Sequence, residues 1–199
     1  VSVKLPPGWD YATALETASK TGDTVRFKAA PWETVIDSPL FAGKHLRKFD
    51  LDPGGRSRVT LNAMGDEPGQ VNPSAEIIEV HRNLVRQADK LYGARHFDHY
   101  DFLLSVSDRL ATAGTEHQRS SNNGVNSQYF TGWNTAFVSK DLLAHEYVPS
   151  WNGKYRRPAD LWTPSFNAPM RASLLWVYEG QTQYWGHVLA ARAGFVSRQ

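Results

Sequence analysis

The segment Leu142-Leu143-Ala144-His145-Glu146-Tyr147-Val148-Pro149-Ser150-Trp151-Asn152 sets an imidazole beside a carboxylate in an apolar stretch. On a helix, two histidines four residues apart face one way and can share a zinc ion. The glutamate after the first then serves as general base on the metal-bound water. Here the first half of that pattern is present, but Pro149 stands four residues after His145. Proline offers no ligand, lacks the amide hydrogen that would bond the His145 carbonyl, and crowds that carbonyl with its ring. The expectation is a helix that bends or ends just past His145, with Val148 pushed toward extended geometry. A second carboxylate, Glu179, lies within Leu174-Leu175-Trp176-Val177-Tyr178-Glu179-Gly180-Gln181-Thr182, a run too apolar for a solvent face. A carboxylate buried there needs a cation, a metal or a hydrogen-bonding partner. Glu179 is therefore a candidate third ligand.

Each of these groups also has a structural role open to it. His145 and Glu146 fit a ring N–H bonded to a carbonyl and a solvated acid on a helix. Glu179 fits an ion pair with Arg156 or Arg157, and Glu116 fits a cap on the turn near Gly114. Tyr178 and Tyr184 fit either oxyanion donors or packing on an amphipathic helix. Two of Glu116, Glu146 and Glu179, with tryptophans as stacking platforms, would also suffice for a glycosidase.

The elements that must position these groups change character along the chain. Residues 1–70 read as β structure: Thr24 to Ala29 alternates with period two, and Leu46–Leu51 and Arg58–Met64 flank the turn cluster Asp52-Pro53-Gly54-Gly55. From Ser74 the period becomes helical, with Ile77, His81, Leu84, Val85, Ala88 and Leu91 in one stripe, Ser74 as N-cap and Gly93 past the end. Tyr100 to Val106 reads as a buried strand. Beyond Gly114 two more helices are expected, near 140–149 and 172–193, joined by a loop containing Pro158, Pro164 and Pro169. Strands first and helices later argue for an α+β fold, β-rich over 1–70 and mixed and helical over 71–199.

Composition narrows the function classes. The 199 residues are 41% hydrophobic and 21% charged, enough for one substantial core. A net charge of +2 with interspersed signs leaves no electrostatic footprint for nucleic acid. No apolar run reaches the roughly 18 residues of a membrane-spanning helix, and the absence of cysteine excludes disulfides, thiolate metal sites and a cysteine nucleophile. The first residues carry no basic n-region or apolar h-region, so the expectation is an excised domain that itself holds no signal peptide.

Residues 114–194 resemble the glycyl aminopeptidase family of PDZ-containing gluzincin metallopeptidases. The matching stretches are Gly114-Thr115-Glu116-His117 with Ser120, His145-Glu146-Tyr147 with Ser150-Trp151-Asn152, Lys154-Tyr155-Arg156-Arg157-Pro158, and Leu174 through Tyr184. Upstream, Asp37-Ser38-Pro39-Leu40-Phe41-Ala42-Gly43 and His99-Tyr100-Asp101-Phe102 also resemble that family. The resemblance implies a thermolysin-like catalytic domain, with residues 1–199 forming the catalytic core without the flanking N-terminal β domain and C-terminal helical and PDZ segments. It implies Zn2+ as cofactor, His145 and Glu179 as ligands, Glu146 as general base and Glu116 as the holder of the substrate's free α-amine. Peptides with N-terminal Gly or Ala are the implied substrates, and an extracytoplasmic location is the implied setting.

Pro149 departs from the family at the position of the second zinc histidine. Structural zinc sites bind with about 10–16 kcal/mol over four ligands, so an even split gives about 3–4 kcal/mol each. Losing one weakens binding by roughly two to three powers of ten. The expectation is impaired zinc binding with little or no turnover, unless the fold brings in His117 or His187. The alternative expectation is a non-catalytic relative that still binds peptide ends.

Overall fold

The computed structural model describes residues 1–55, 57–135, 139–165 and 167–196. The N-terminal part is built from β1 (Ser2–Lys4), β2 (Asp10–Thr13), β3 (Thr17–Thr21), β4 (Thr24–Phe27), a short helix α1 (Trp32–Ile36) and β5 (Leu40–Gly43). In β4, Val25 and Phe27 turn inward while Thr24 and Arg26 face solvent, as the period-two pattern requires. Val25 and Phe27 join Leu5 in a small core of their own. One sheet runs β1-β4-β3, and β2 pairs with β5 in a second.

A larger, five-stranded sheet follows. The hairpin expected around Asp52–Gly55 forms from β6 (His45–Asp50) and β7 (Arg58–Gly65), paired antiparallel. Helix α2 (Ala75–Tyr92) begins where the Ser74 side chain accepts from the Ile77 amide, and it ends at Gly93 in the left-handed conformation. It carries the chain over to β8 (His99–Val106), which lies parallel to β7 and is buried along its whole length. Next come β9 (Gly114–Glu116) and β10 (Ser120–Val125), giving the order β6-β7-β8-β10-β9. The chain finishes with α3 (Leu142–Tyr147) and α4 (Leu175–Ala193). The fold is mixed α and β with a β-rich N-terminal part.

Strand alternation sorts the sheet's two faces. Val59, Leu61 and Ala63 of β7, with Tyr100, Phe102, Leu104 and Val106 of β8, enter the main core with residues of α2, α3 and α4. The opposite register positions carry a polar layer instead. There the buried Asp101 accepts two bonds from Arg58 at 3.0 and 3.1 Å, and others from Asn62 Nδ2 and His99 Nδ1, each at 3.1 Å.

Two expectations need correction. Beyond Gly114 the chain carries two strands, β9 and β10, as well as the two helices, so strands and helices are interleaved. And Val148 is not extended: it keeps helical angles, φ −54° and ψ −40°. The α-helix ends at Tyr147 and tightens into a 3-10 turn over Val148–Ser150. The Val148 amide donates to the carbonyls of both Ala144 and His145, so the carbonyl that Pro149 cannot serve is satisfied one residue earlier.

Candidate functional site

Helix α3 is only 6 residues long, and it presents its two chemical side chains differently. Glu146 is 6% exposed, whereas the His145 side chain is 23% exposed and reaches the cleft. Behind them, the Tyr100 hydroxyl donates to the Glu146 backbone carbonyl at 3.1 Å, tying α3 to the central strand.

Helix α4 packs across α3 at Gly186. A Cβ built there would stand 2.9 Å from the His145 Cα and 3.1 Å from its backbone nitrogen, so only glycine lets the helices come this close. Glu179 lies two turns earlier on the same helix face, with its Oε2 3.8 Å from His145 Nε2. The ion partner of Glu179 is thus His145, and the sequence-based alternative of Arg156 or Arg157 is not the pairing observed.

The sheet edge closes the other side. A Cβ at Gly114 would fall 1.9 Å from Glu146 Oε1, so β9 passes directly against that carboxylate. Two residues on, Glu116 accepts a hydrogen bond from the Tyr178 hydroxyl. Tyr178 in turn packs under Gly153, where φ is +149° and a Cβ would stand 2.2–2.5 Å from the ring. Tyr178 is therefore the partner of a cleft carboxylate, while Tyr184 is 60% exposed and stacks edge-on against Trp185.

Three carboxylates in one cleft repel one another, and their protonation reflects it. Burial first, then Glu116 and Glu179, push the Glu146 carboxyl up to about 8. Burial and Glu116 raise Glu179 as well, against the opposing pull of His145. Burial and the bond to Glu116 push the Tyr178 hydroxyl upward, so it stays a donor. The cleft as a whole favours a cation.

Zinc is the cation the residue pattern suggests, and the donor set falls short of it. His145 and Glu179 approach each other, but the next turn of α3 offers Pro149. His117 is engaged by Asp37 at 3.1 Å, and His187 lies 3.3 Å from Asp141 and 2.6 Å from Gln183. Among the described residues no group of three or more His, Asp or Glu is arranged to hold a metal. A zinc that keeps a water for chemistry takes three protein ligands. The residues present do not fit it.

Residues 139–199 match the family model for the M61 glycyl aminopeptidase, and residues 1–44 match that for the M61 peptidase N-terminal domain. The chain belongs to the M61 glycyl aminopeptidase family. Between them the two models take in a little over half of it. Among solved structures it is similar to an aminopeptidase N family protein from Idiomarina loihiensis, with a TM-score of 0.78 and 21% identity over 98% of this chain. It is also similar to the M1 zinc metallopeptidase from Deinococcus radiodurans, with a TM-score of 0.56 and 14% identity over 98% of this chain. At these identities the likeness is one of fold. This M61 chain spans 34% and 41% of the lengths of those two proteins. No curated protein matches it. Among the described residues of the M61 chain, no helix is long and apolar enough to cross a membrane.

Several residues of the cleft had no chemical signal in the sequence. Gly114, Gly153 and Gly186 matter for the side chain they lack, and an isolated glycine within a helix was the available hint for Gly186. Tyr178, expected as oxyanion donor or packing, gives its hydroxyl to Glu116.

Proposed function

We propose that this chain forms the substrate cleft of a thermolysin-like aminopeptidase fold and recognises the free α-ammonium group of peptides, with turnover held low by Pro149. Support comes from one observation above all: Glu116, Glu146 and Glu179 converge beside His145, and among the described residues no Lys or Arg pairs with any of the three. Glu146 is buried, but Glu179 is exposed along with Leu174, Leu175 and Trp176, against the expectation of a buried run. Such a carboxylate cluster gains most from a ligand that brings positive charge and N–H donors together, and an ammonium does both. Glu116, held by Tyr178 on the sheet edge, is the proposed amine anchor. The resemblance implies that N-terminal Gly or Ala fits best. Hydrolysis through zinc needs a further ligand that the described residues do not bring to His145 and Glu179, so recognition outlasts turnover in this chain.

Elemental analysis of the purified protein and of Pro149→His tests this reading, alongside hydrolysis of a glycine anilide. The expected result is sub-stoichiometric zinc in the original and zinc affinity higher by roughly two to three powers of ten in the variant, from one added ligand. Measurable anilide hydrolysis should appear with it. Stoichiometric zinc in the original, or equal zinc in both, would overturn the assignment of Pro149.

A further inference from the structure

The motif Asp37-Ser38-Pro39 resembles the family, yet it lies far from the cleft in sequence, and the proposed function leaves it without a task. Its place in the fold gives it one. Asp37 sits at the end of α1, where its amide donates to the Glu33 carbonyl at 3.0 Å and the next hydroxyl, Ser38 Oγ, donates to the Thr34 carbonyl at 2.7 Å. Three residues later the chain enters β5, paired with β2. The backbone of Asp37 is thus pinned on both sides within the N-terminal part.

Its carboxylate reaches out of that part to two others. One arm runs to the β9–β10 turn: His117 Nδ1 lies 3.1 Å from Oδ1, and the Gln118 amide donates to Oδ2 at 2.8 Å. The other arm runs to the loop after α3, where Lys154 Nζ lies 3.7 Å from Oδ1. Burial works against the charge on Asp37, and the bonds from His117 and Gln118 together with Lys154 overcome it, holding the carboxyl below its usual range. Both arms end one residue from a group that sets the Glu116 carboxylate. His117 follows Glu116 directly. Lys154 follows Gly153, which seats the Tyr178 ring whose hydroxyl bonds Glu116. Two independent paths therefore join one carboxylate in the N-terminal part to another in the cleft.

We propose that Asp37 is a positioning residue through which the N-terminal part sets the place of the Glu116 carboxylate, and thereby the cleft's preference for a free peptide α-ammonium over a blocked one. This inference rests on the reading of Glu116 as amine anchor. A charged acceptor is needed because one side chain must hold an imidazole N–H, an amide N–H and an ammonium together, and bonds to a charged acceptor are about twice as strong as neutral ones.

The test compares the binding of triglycine and N-acetyl-triglycine by calorimetry on the full chain and its Glu116→Gln, Asp37→Asn and Lys154→Met variants. It also follows the carboxyl carbon resonance of Glu116 and hydrogen exchange at the Gln118 amide. The original should prefer the free amine, and Glu116→Gln should abolish that preference. Asp37→Asn should reduce it by about tenfold, a change of roughly 1.4 kcal/mol, with the Glu116 resonance displaced and Gln118 exchange faster. Lys154→Met should move preference and resonance the same way without touching the Gln118 amide, and it carries the test if Asp37→Asn does not fold. A folded Asp37→Asn with the original preference and an unmoved Glu116 resonance would overturn the proposal. If the original shows no preference, the amine-anchor reading fails by itself, and the proposal fails with it.

Discussion

At the scale of single residues, the cleft is defined by three carboxylates that meet no Lys or Arg among the described residues. Glu146 illustrates the consequence. Its carboxyl is pushed up to about 8 by burial, Glu116 and Glu179, whereas the unfolded chain releases that proton near 4.5. Between those values the native state holds a proton that the unfolded state has lost, so stability falls as pH rises through the window. Glu146→Gln keeps the shape and removes the titration. It should be more stable than the original at pH 8 by on the order of 4 kcal/mol, and close to it at pH 4.5, by urea denaturation. An equal difference at both pH values would mean that the effect is packing and not charge. His145, Glu146 and Glu179 were legible in the sequence because acids and histidines stand out in apolar runs, whereas Glu116, in the polar stretch Gly114 to Ser120, was marked only by the family resemblance. Their partners were not, because a tyrosine hydroxyl or a missing Cβ has no chemical signature until the fold brings it to a carboxylate.

At the scale of elements, the cleft depends on how closely α4 can lie on α3. Gly186→Ala adds a methyl group 2.9 Å from the His145 Cα, against backbone that has no free end to swing aside. The gain in helix propensity, about 1 kcal/mol, is set against an overpacking cost of about 1–3 kcal/mol. The expected net result is a lower urea midpoint and a lengthened His145–Glu179 separation. A raised midpoint would mean the helices part without cost. The same scale explains which elements were readable. Helix α2 announces itself through Ser74, its apolar stripe and Gly93, and β8 through its apolar run. Strand β10, Ser120-Ser121-Asn122-Asn123-Gly124-Val125, has neither alternation nor β-branched residues before Val125. It is buried all the same, because Asn123 Nδ2 donates to the Leu103 carbonyl at 3.2 Å and to Ser121 at 3.0 Å. A strand whose buried side-chain amide bonds to neighbouring backbone looks like a loop when only hydropathy is read.

For the whole molecule, two buried groups pull stability in opposite directions. His81 lies fully buried among Tyr129, Phe130, Trp133 and Phe195, bonded to the Ile77 carbonyl at 2.7 Å and the Tyr129 hydroxyl at 3.0 Å. Burial lowers its pKa from 6.5 to about 4. The unfolded state therefore binds the extra proton between those values, and stability falls as pH drops from 6.5 toward 4. Across roughly the same interval Glu146 acts with the opposite sign. The original should show a flat stretch of stability between about pH 4.5 and 6.5, then a decline toward pH 8. In Glu146→Gln the flat stretch should become a rise with pH of up to about 2 kcal/mol, since His81 is then opposed only by the raised carboxyl of Glu179. A Glu146→Gln profile that stays flat from pH 4.5 to 6.5 would rule out this account of His81.

The turn at Pro149 has a consequence of another kind. The helix end absorbs the proline completely: the ring is buried, Val148 keeps its helical angles, the His145 carbonyl finds another donor, and the Pro149 carbonyl still accepts from Lys154 at 2.8 Å. Because the proline leaves the His145 carbonyl paired at this turn, a change in ligand chemistry at position 149 is separated from a change of fold.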